Sequence, residues 1–277
     1  MQNINDIIPY FKSQFSDKSN QKEIISWAYM VIENMFGYDR SKSILHAKQN
    51  IDSIHSRKIN NIIKDLKRNK PIQYILGSTN FYGININVNK DTLIPRPETE
   101  ELVEWILKDD FNSILDVGTG SGCIPIAIAK HKDVDVYALD ISRNALNIAK
   151  DNARFNNVYI NFIEADVFNF NSSLNVDLIV SNPPYVLKSQ ISNLSSNIID
   201  YEPHLALFVD DHEPLIYYKC ISELAKRNLN SDGKLYFEIN EDYGNEIAIM
   251  LKEMGFVDIQ LKKDINDKQR MVRAIKK

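Results

Sequence analysis

Residues 114–122 read Ile114-Leu115-Asp116-Val117-Gly118-Thr119-Gly120-Ser121-Gly122, an apolar strand, a glycine turn and the opening of a helix. The chain has only nine glycines in 277 residues, and three fall here within five positions. Where glycine is otherwise scarce, such a cluster marks backbone that must come very close to something. Asp140 ends the next apolar stretch, 22 positions after Gly118. A carboxylate at that spacing can accept hydrogen bonds from both hydroxyls of a ribose.

Outward from this stretch the pattern alternates. The spacing predicts strands at 113–117, 134–139, 158–163, 176–181, 234–239, 257–261 and 271–275. Between them lie helical patterns at 122–131, 142–156, 213–229 and 243–254, with Ser142 placed as a helix N-cap. Apolar strands alternating with amphipathic helices predict an α/β fold: a seven-stranded, mostly parallel sheet covered on both faces. Ligands in such sheets bind at the carboxyl ends of the strands, near the switch point.

Two cofactor classes compete for the glycine turn. A dinucleotide site requires a third glycine at position 123, which is Cys123. The chain instead has GxGxG with Asp116 two residues before it, which resembles the S-adenosylmethionine site of Rossmann-like methyltransferases. Asp116 can balance a cationic methionine amino end, whereas it would repel a pyrophosphate.

A second motif, Asn182-Pro183-Pro184-Tyr185, follows the strand at 176–181. It resembles the signature of enzymes that methylate planar nitrogens: adenine and cytosine amines and the glutamine amide. A conjugated NH₂ is a weak nucleophile because its lone pair is delocalised. The Asn182 side-chain oxygen and the Pro183 carbonyl can each accept one N–H, while the prolines fix φ and hold the two acceptors in place. Tyr185 can lie against the flat acceptor group. Catalysis is then mainly orientation, for which roughly 7–11 kcal/mol is available.

Further stretches carry a resemblance over nearly the whole chain: 71–77 (Pro-Ile-Gln-Tyr-Ile-Leu-Gly), 81–83 (Phe-Tyr-Gly), 93–100 (Leu-Ile-Pro-Arg-Pro-Glu-Thr-Glu) and Tyr201-Glu202-Pro203. With the two motifs above, the chain resembles the release-factor glutamine methyltransferases, which modify the Gly-Gly-Gln loop of peptide chain release factors. The resemblance implies S-adenosylmethionine as cofactor, S-adenosylhomocysteine as product and no metal. It implies cofactor contacts from Gly118, Thr119, Gly120, Ser121, Gly122 and Asp140, with Asp166 and Val167 beside the adenine and Asn182 meeting both ligands. Asn182, Pro183 and Tyr185 would be catalytic. Pro184, Arg96, Glu98 and Thr99 would join them on the substrate side. Relatives often carry a glycine-rich turn where this chain has Asp210-Asp211-His212-Glu213-Pro214, and a glycine where it has Asn240, after the acidic strand end at Glu238. At Asn240 left-handed backbone is tolerated. The long loop 186–212 is expected to be a lid or binding loop.

The first 70 residues read as helices, with Ile24, Ala28 and Ile32 at helical spacing and Ser41 and Asp52 as further N-caps. Residues 84–88 alternate with period two, predicting a hairpin. The expected organisation is a helical substrate-recognition domain at 1–72, a hairpin linker at 73–95 and a methyltransferase domain at 96–277. Residues 1–77 hold 12 Lys/Arg against 7 Asp/Glu, and the remainder 21 against 30, so the net charge of −4 is unevenly spread. The basic first part suits an acidic partner, nucleic acid or a solvated helical surface. The overall charge and a pI near 5.8 argue against a broad phosphate-binding face, so adenine methylation is the weaker reading. A ribosomal-protein glutamine is a further alternative. Two cysteines and five histidines without metal-ligand spacing give little support to disulfides or zinc. The longest apolar run, 123–129, is far below the roughly 20 residues of a membrane span, and the start of the chain resembles no signal peptide, so a cytoplasmic location is expected.

Overall fold

A computed structural model describes residues 1–15 and 20–277. The chain divides into two units, Met1–Gly77 and Ser78–Lys277. Residues 72–76 wind into a helix that ends on a left-handed glycine, Gly77 at φ 80°.

The first unit contains α1 (Ile7–Gln14), α2 (Gln21–Phe36), α3 (Arg40–Leu45), α4 (Ser53–Lys67) and α5 (Ile72–Leu76). In α2 the buried residues Ile24, Ala28, Val31 and Ile32 form one stripe. They pack with Ile7, Phe11, Ile59, Ile63 and Leu66 into a separate core. Asp52 caps α4 by accepting from the His55 N–H at 2.7 Å. Ser41 is not a cap. Asp39 takes that role, with extended backbone and a 2.7 Å hydrogen bond from the Lys42 N–H, which leaves Ser41 inside the first turn.

The second unit opens with a hairpin of β1 (Ser78–Phe81) and β2 (Ile84–Asn87), antiparallel as the alternation predicts. Then follow α6 (Pro97–Ile106), β3 (Ser113–Val117), α7 (Cys123–His131), β4 (Asp135–Asp140), α8 (Arg143–Phe155), β5 (Asn161–Glu164) and β6 (Val176–Ser181). Next come β7 (Val186–Leu187), α9 (Ser196–Tyr201), α10 (His204–Leu207), β8 (Phe208–Val209), α11 (Ile216–Asn228) and β9 (Leu229–Glu238). The unit closes with α12 (Gly244–Glu253), β10 (Phe256–Lys263) and β11 (Gln269–Lys276).

Seven strands form one sheet in the order β10-β11-β9-β6-β3-β4-β5. The run from β9 to β5 is parallel, and β11 pairs antiparallel with both neighbours. The expected seven-stranded, mostly parallel sheet is thus present. The chain starts at β3, builds outward through β4 and β5, then crosses to β6 on the other side. The switch point therefore lies between β3 and β6, whose last residues Val117 and Ser181 are register partners. The Ser181 hydroxyl donates to the Val117 carbonyl at 2.6 Å, holding the two strand ends together.

The segment 186–209 is ordered rather than structureless. β7 and β8 pair in parallel, and α9 and α10 lie between them. The acidic residues after it build its turn without glycine. Asp210 Oδ1 accepts from the His212 N–H at 3.1 Å, and Asp211 Oδ1 accepts from the Ser189 N–H at 3.1 Å. Asn240 needs no left-handed backbone: its φ is −67°, and its side chain caps the next turn by accepting from the Asp242 N–H at 3.0 Å.

Candidate functional site

Both motifs leave adjacent strands at the switch point and open onto one cavity of about 460 Å³. Gly118, Thr119, Gly120, Ser121, Asp140, Asp166, Val167, Asn182, Pro183, Pro184, Arg96 and Thr99 all line it. Gly118 and Gly120 have φ of 78° and 55°, and a Cβ on either would project into open space. That bare, left-handed backbone is a cradle that a ligand can touch directly.

Gly122 differs. It does not line the cavity, and a Cβ there would sit 3.0 Å from Cβ of Ala149 on α8. This third glycine serves the close approach of α7 and α8 rather than contact with a ligand. Glu98 is likewise absent from the cavity wall, on the first turn of α6 where its charge suits the helix N-terminus.

Asp140 is buried at the end of β4. Its Oδ2 accepts from the Gly120 N–H at 2.7 Å and its Oδ1 from the Ser142 N–H at 2.8 Å. Burial raises its pKa, and these main-chain donors partly offset that. A carboxylate has about four acceptor sites, so room is left for two hydroxyls.

Asp116 is 1% exposed, and among the described residues neither of its oxygens has a hydrogen-bond partner. Burial is the main cause that pushes its pKa up to about 7, and the nearby Asp140 charge adds to it. The Thr119 hydroxyl is itself buried without a partner. An unmet buried polar group costs about 1–3 kcal/mol. Thr119 lines the cavity and Asp116 does not, but an unmet carboxylate two residues before the cradle fits a ligand that brings a cation, as a methionine ammonium does. Burial and the Asp116 charge push the neighbouring Cys123 thiol up to about 12, so it carries no thiolate at neutral pH.

At the other lip, Asn182 Nδ2 donates to Thr99 Oγ1 at 3.3 Å. Thr99 was expected on the substrate side; it lines the cavity, but its hydroxyl is spent on Glu238 Oε2 at 2.6 Å. Tyr185 does not line the large cavity. Its hydroxyl donates to Glu238 Oε1 at 3.1 Å, and its ring borders a smaller cavity of about 220 Å³. That second cavity shares Leu93, Arg96, Asn182 and Ala206 with the first, and Val186, Leu194, Ile198 and Leu207 complete it. Glu202, 4% exposed, accepts from Arg96 Nη2 at 2.6 Å and from the Ile94 N–H at 3.3 Å. These bonds fasten α9 to the stretch before α6.

Several residues of the cavity wall carry no signal of their own in the sequence. Ile141, Phe168 and Leu205 are large apolar side chains left exposed, and all three line the cavity. Position offers a partial signal for two of them: Ile141 follows Asp140 directly, and Phe168 follows Val167. Glu238 gave none beyond ending a strand.

Comparison with known proteins adds the following. A family model described as the PrmC N-terminal domain matches residues 7–77, and one described as the methyltransferase small domain matches residues 97–204. The chain is 43% identical to a release factor glutamine methyltransferase of Flavobacterium psychrophilum, over 97% of this chain and 99% of the relative. It is 39% identical to one from Bacteroides thetaiotaomicron, over 98% and 99%. Among solved structures, a methyltransferase from Pyrococcus furiosus superposes with TM-score 0.53 at 16% identity, over 81% of this chain and 98% of that one. The 16S rRNA N2 G1207 methyltransferase of T. thermophilus, in complex with AdoMet and guanosine, gives 0.51 at 16%, over 72% and 50%. The two structures speak for the fold alone.

Proposed function

Because the chain belongs to the release factor glutamine methyltransferase family, we propose that it methylates the side-chain amide nitrogen (N5) of the glutamine in the Gly-Gly-Gln loop of peptide chain release factors. It is an S-adenosylmethionine-dependent methyltransferase. When bound, S-adenosylmethionine supplies the methyl group as a carbon electrophile on a sulfonium and departs as S-adenosylhomocysteine.

In this reading Asp116 and Thr119 meet the amino-acid end of the cofactor, the main chain of Gly118 to Ser121 follows it, and Asp140 accepts from the ribose. Asp166 and Val167 border the adenine. The unpartnered oxygens of Asp116 support this arrangement, since a cationic group is what would offset their burial.

On the acceptor side, the Asn182 oxygen and the Pro183 carbonyl each take one N–H of the glutamine amide. Holding both protons in preset positions turns the face of the nitrogen toward the methyl carbon; as the C–N bond forms and the C–S bond breaks, the nitrogen becomes acidic and one of its two protons leaves to water. Pro184 and Tyr185 stiffen the loop, with the Tyr185 ring at the edge of the smaller cavity, which takes the chain around the glutamine. Burial and the Glu238 charge raise the Tyr185 hydroxyl far above its ordinary value, so it acts as a neutral donor rather than a base. The basic helical unit recognises the body of the release factor.

The observation that carries the proposal is the meeting of the Gly118–Gly120 cradle and the Asn182–Pro184 loop on one cavity. The test is transfer of labelled methyl from S-adenosylmethionine to purified release factor, with DNA in a parallel reaction. Label in the Gly-Gly-Gln peptide is expected. Label in nucleic acid alone would overturn the proposal. Asn182→Ala is expected to abolish transfer with cofactor affinity largely kept.

A further inference from the structure

Hydrogen bonds at Asn182 have a direction, and that direction is set from deep within the fold. Thr99 is 3% exposed and Glu238 1%. The Thr99 hydroxyl donates to Glu238 Oε2 at 2.6 Å. A hydroxyl owns a single proton. Once that proton is committed to the carboxylate, Thr99 has only lone pairs for its other neighbour. That neighbour is Asn182, which accordingly turns Nδ2 toward it at 3.3 Å. An amide has one donor end and one acceptor end. Committing Nδ2 to Thr99 leaves Oδ1 as the end of the side chain free to accept in the cavity.

Ionised, Glu238 carries no proton with which to reverse this order; burial raises its pKa, while the Thr99 and Tyr185 hydroxyls and the Arg270 charge favour the ionised form. Its Oε1 accepts from the Tyr185 hydroxyl at 3.1 Å. The Tyr185 carbonyl in turn accepts from Asn240 Nδ2 at 3.1 Å. One buried carboxylate therefore holds Tyr185 directly and Asn182 through Thr99, and Asn240 pins the exit of the loop. The sheet makes this meeting possible. Ser181 of β6 is the register partner of Phe237 of β9, so Asn182 and Glu238 are the next residues of adjacent strands.

We infer that Glu238 and Thr99 are positioning residues for the transfer: the carboxylate fixes the hydroxyl proton, the hydroxyl fixes the Asn182 amide, and Asn182 thereby offers an acceptor to an NH₂ substrate. A flipped amide would set its own N–H groups against those of the substrate. The relay thus selects an acceptor that arrives with two N–H donors, such as a primary carboxamide. This inference rests on the amide-holding role of Asn182 proposed above. It assigns no contact with the reacting atoms to Glu238 or Thr99.

The test uses the full-length protein with release factor as acceptor, and it reads turnover and S-adenosylmethionine affinity separately. Thr99→Val keeps the volume and deletes the hydroxyl. Its kcat/KM for release factor is expected to fall about tenfold, the worth of one oriented hydrogen bond. Its cofactor Kd is expected to stay within about twofold. Thr99→Ser restores the hydroxyl and is expected to recover most of the loss. Glu238→Gln is the second probe and does not depend on Thr99→Val folding. Its amide oxygen can keep Tyr185, while its NH₂ faces Thr99 and frees the hydroxyl proton to turn toward Asn182. This reverses the relay, so a loss at least as large is expected at unchanged cofactor affinity. Transfer within about twofold of wild type in folded Glu238→Gln or Thr99→Val would overturn the inference. So would a loss matched by an equal loss of cofactor affinity, or a serine that recovers nothing. A wild-type protein that leaves release factor unlabelled would instead overturn the parent reading, and the relay with it.

Discussion

Replacing Asp116 by asparagine isolates the energetic cost of a buried, unpartnered carboxylate. In the folded, ligand-free protein its pKa is raised to about 7, against 3.8 for a free aspartate. Between those values the folded state holds a proton that the unfolded state has lost. Stability therefore falls as pH rises through this window and levels off above it. From about pH 5 to about pH 7 the slope is about 1.4 kcal/mol per unit, so wild type should lose about 3 kcal/mol that the asparagine variant keeps. The variant has its own cost, a buried NH₂ with no acceptor, but that cost does not depend on pH. Comparing wild type and variant at about pH 5 and about pH 8 cancels it, together with most other titrating groups.

The assay is urea unfolding without ligand, followed by tryptophan fluorescence. Trp27 lies in the first unit and Trp105 in the second, where its ring meets Tyr236 edge-on at 5.2 Å. A Trp27→Phe background thus reports the unit that contains Asp116. The expected signature is a stability difference between variant and wild type that grows by about 3 kcal/mol from the lower pH to the higher. A change below about 1 kcal/mol would refute the reasoning, because the carboxylate would then have a partner or solvent access. Bound S-adenosylmethionine should shift that difference in favour of wild type at about pH 8, since only the carboxylate can pair with an ammonium.

Asp140→Ala should weaken S-adenosylmethionine binding at least tenfold by calorimetry, and it should also free the Gly120 and Ser142 N–H groups that Asp140 now accepts from. Unchanged affinity would place the ribose elsewhere. Gly122→Ala should destabilise the second unit by roughly 1–3 kcal/mol, because its Cβ meets Ala149 at 3.0 Å on left-handed backbone. Gly120→Ala, with open space around its Cβ, should cost less stability and more cofactor affinity. Urea midpoints and binding isotherms on the same samples separate the two effects. Arg96→Met strands the buried Glu202 carboxylate and should destabilise the region by about 3–5 kcal/mol, read as faster hydrogen exchange across residues 196–207. Slow exchange there would mean that the segment is held by its other contacts.

The strand–glycine–helix run at 113–131, the capping aspartate at 52 and the alternation at 84–87 were legible because each depends on residues close in the chain. Backbone preference, capping and side-chain period are local properties, and the order of strands and helices followed from them. The two motifs could also be assigned to strand ends, where a parallel sheet binds its ligands. Which side chains face each other across that sheet was not legible. Glu238 lies 56 positions beyond Asn182 and is linked to it, through Thr99, only because β9 pairs with β6 so that Phe237 lies opposite Ser181. The three glycines look equivalent in sequence, yet Gly118 and Gly120 face a cavity while Gly122 faces Ala149, a distinction made by α8. Tyr185 points its hydroxyl at Glu238, and the segment 186–209 folds over its own paired strands, for the same reason. Burial and hydrogen-bond polarity are set by whatever packs around a residue, and in this protein that is chain brought in from tens of positions away.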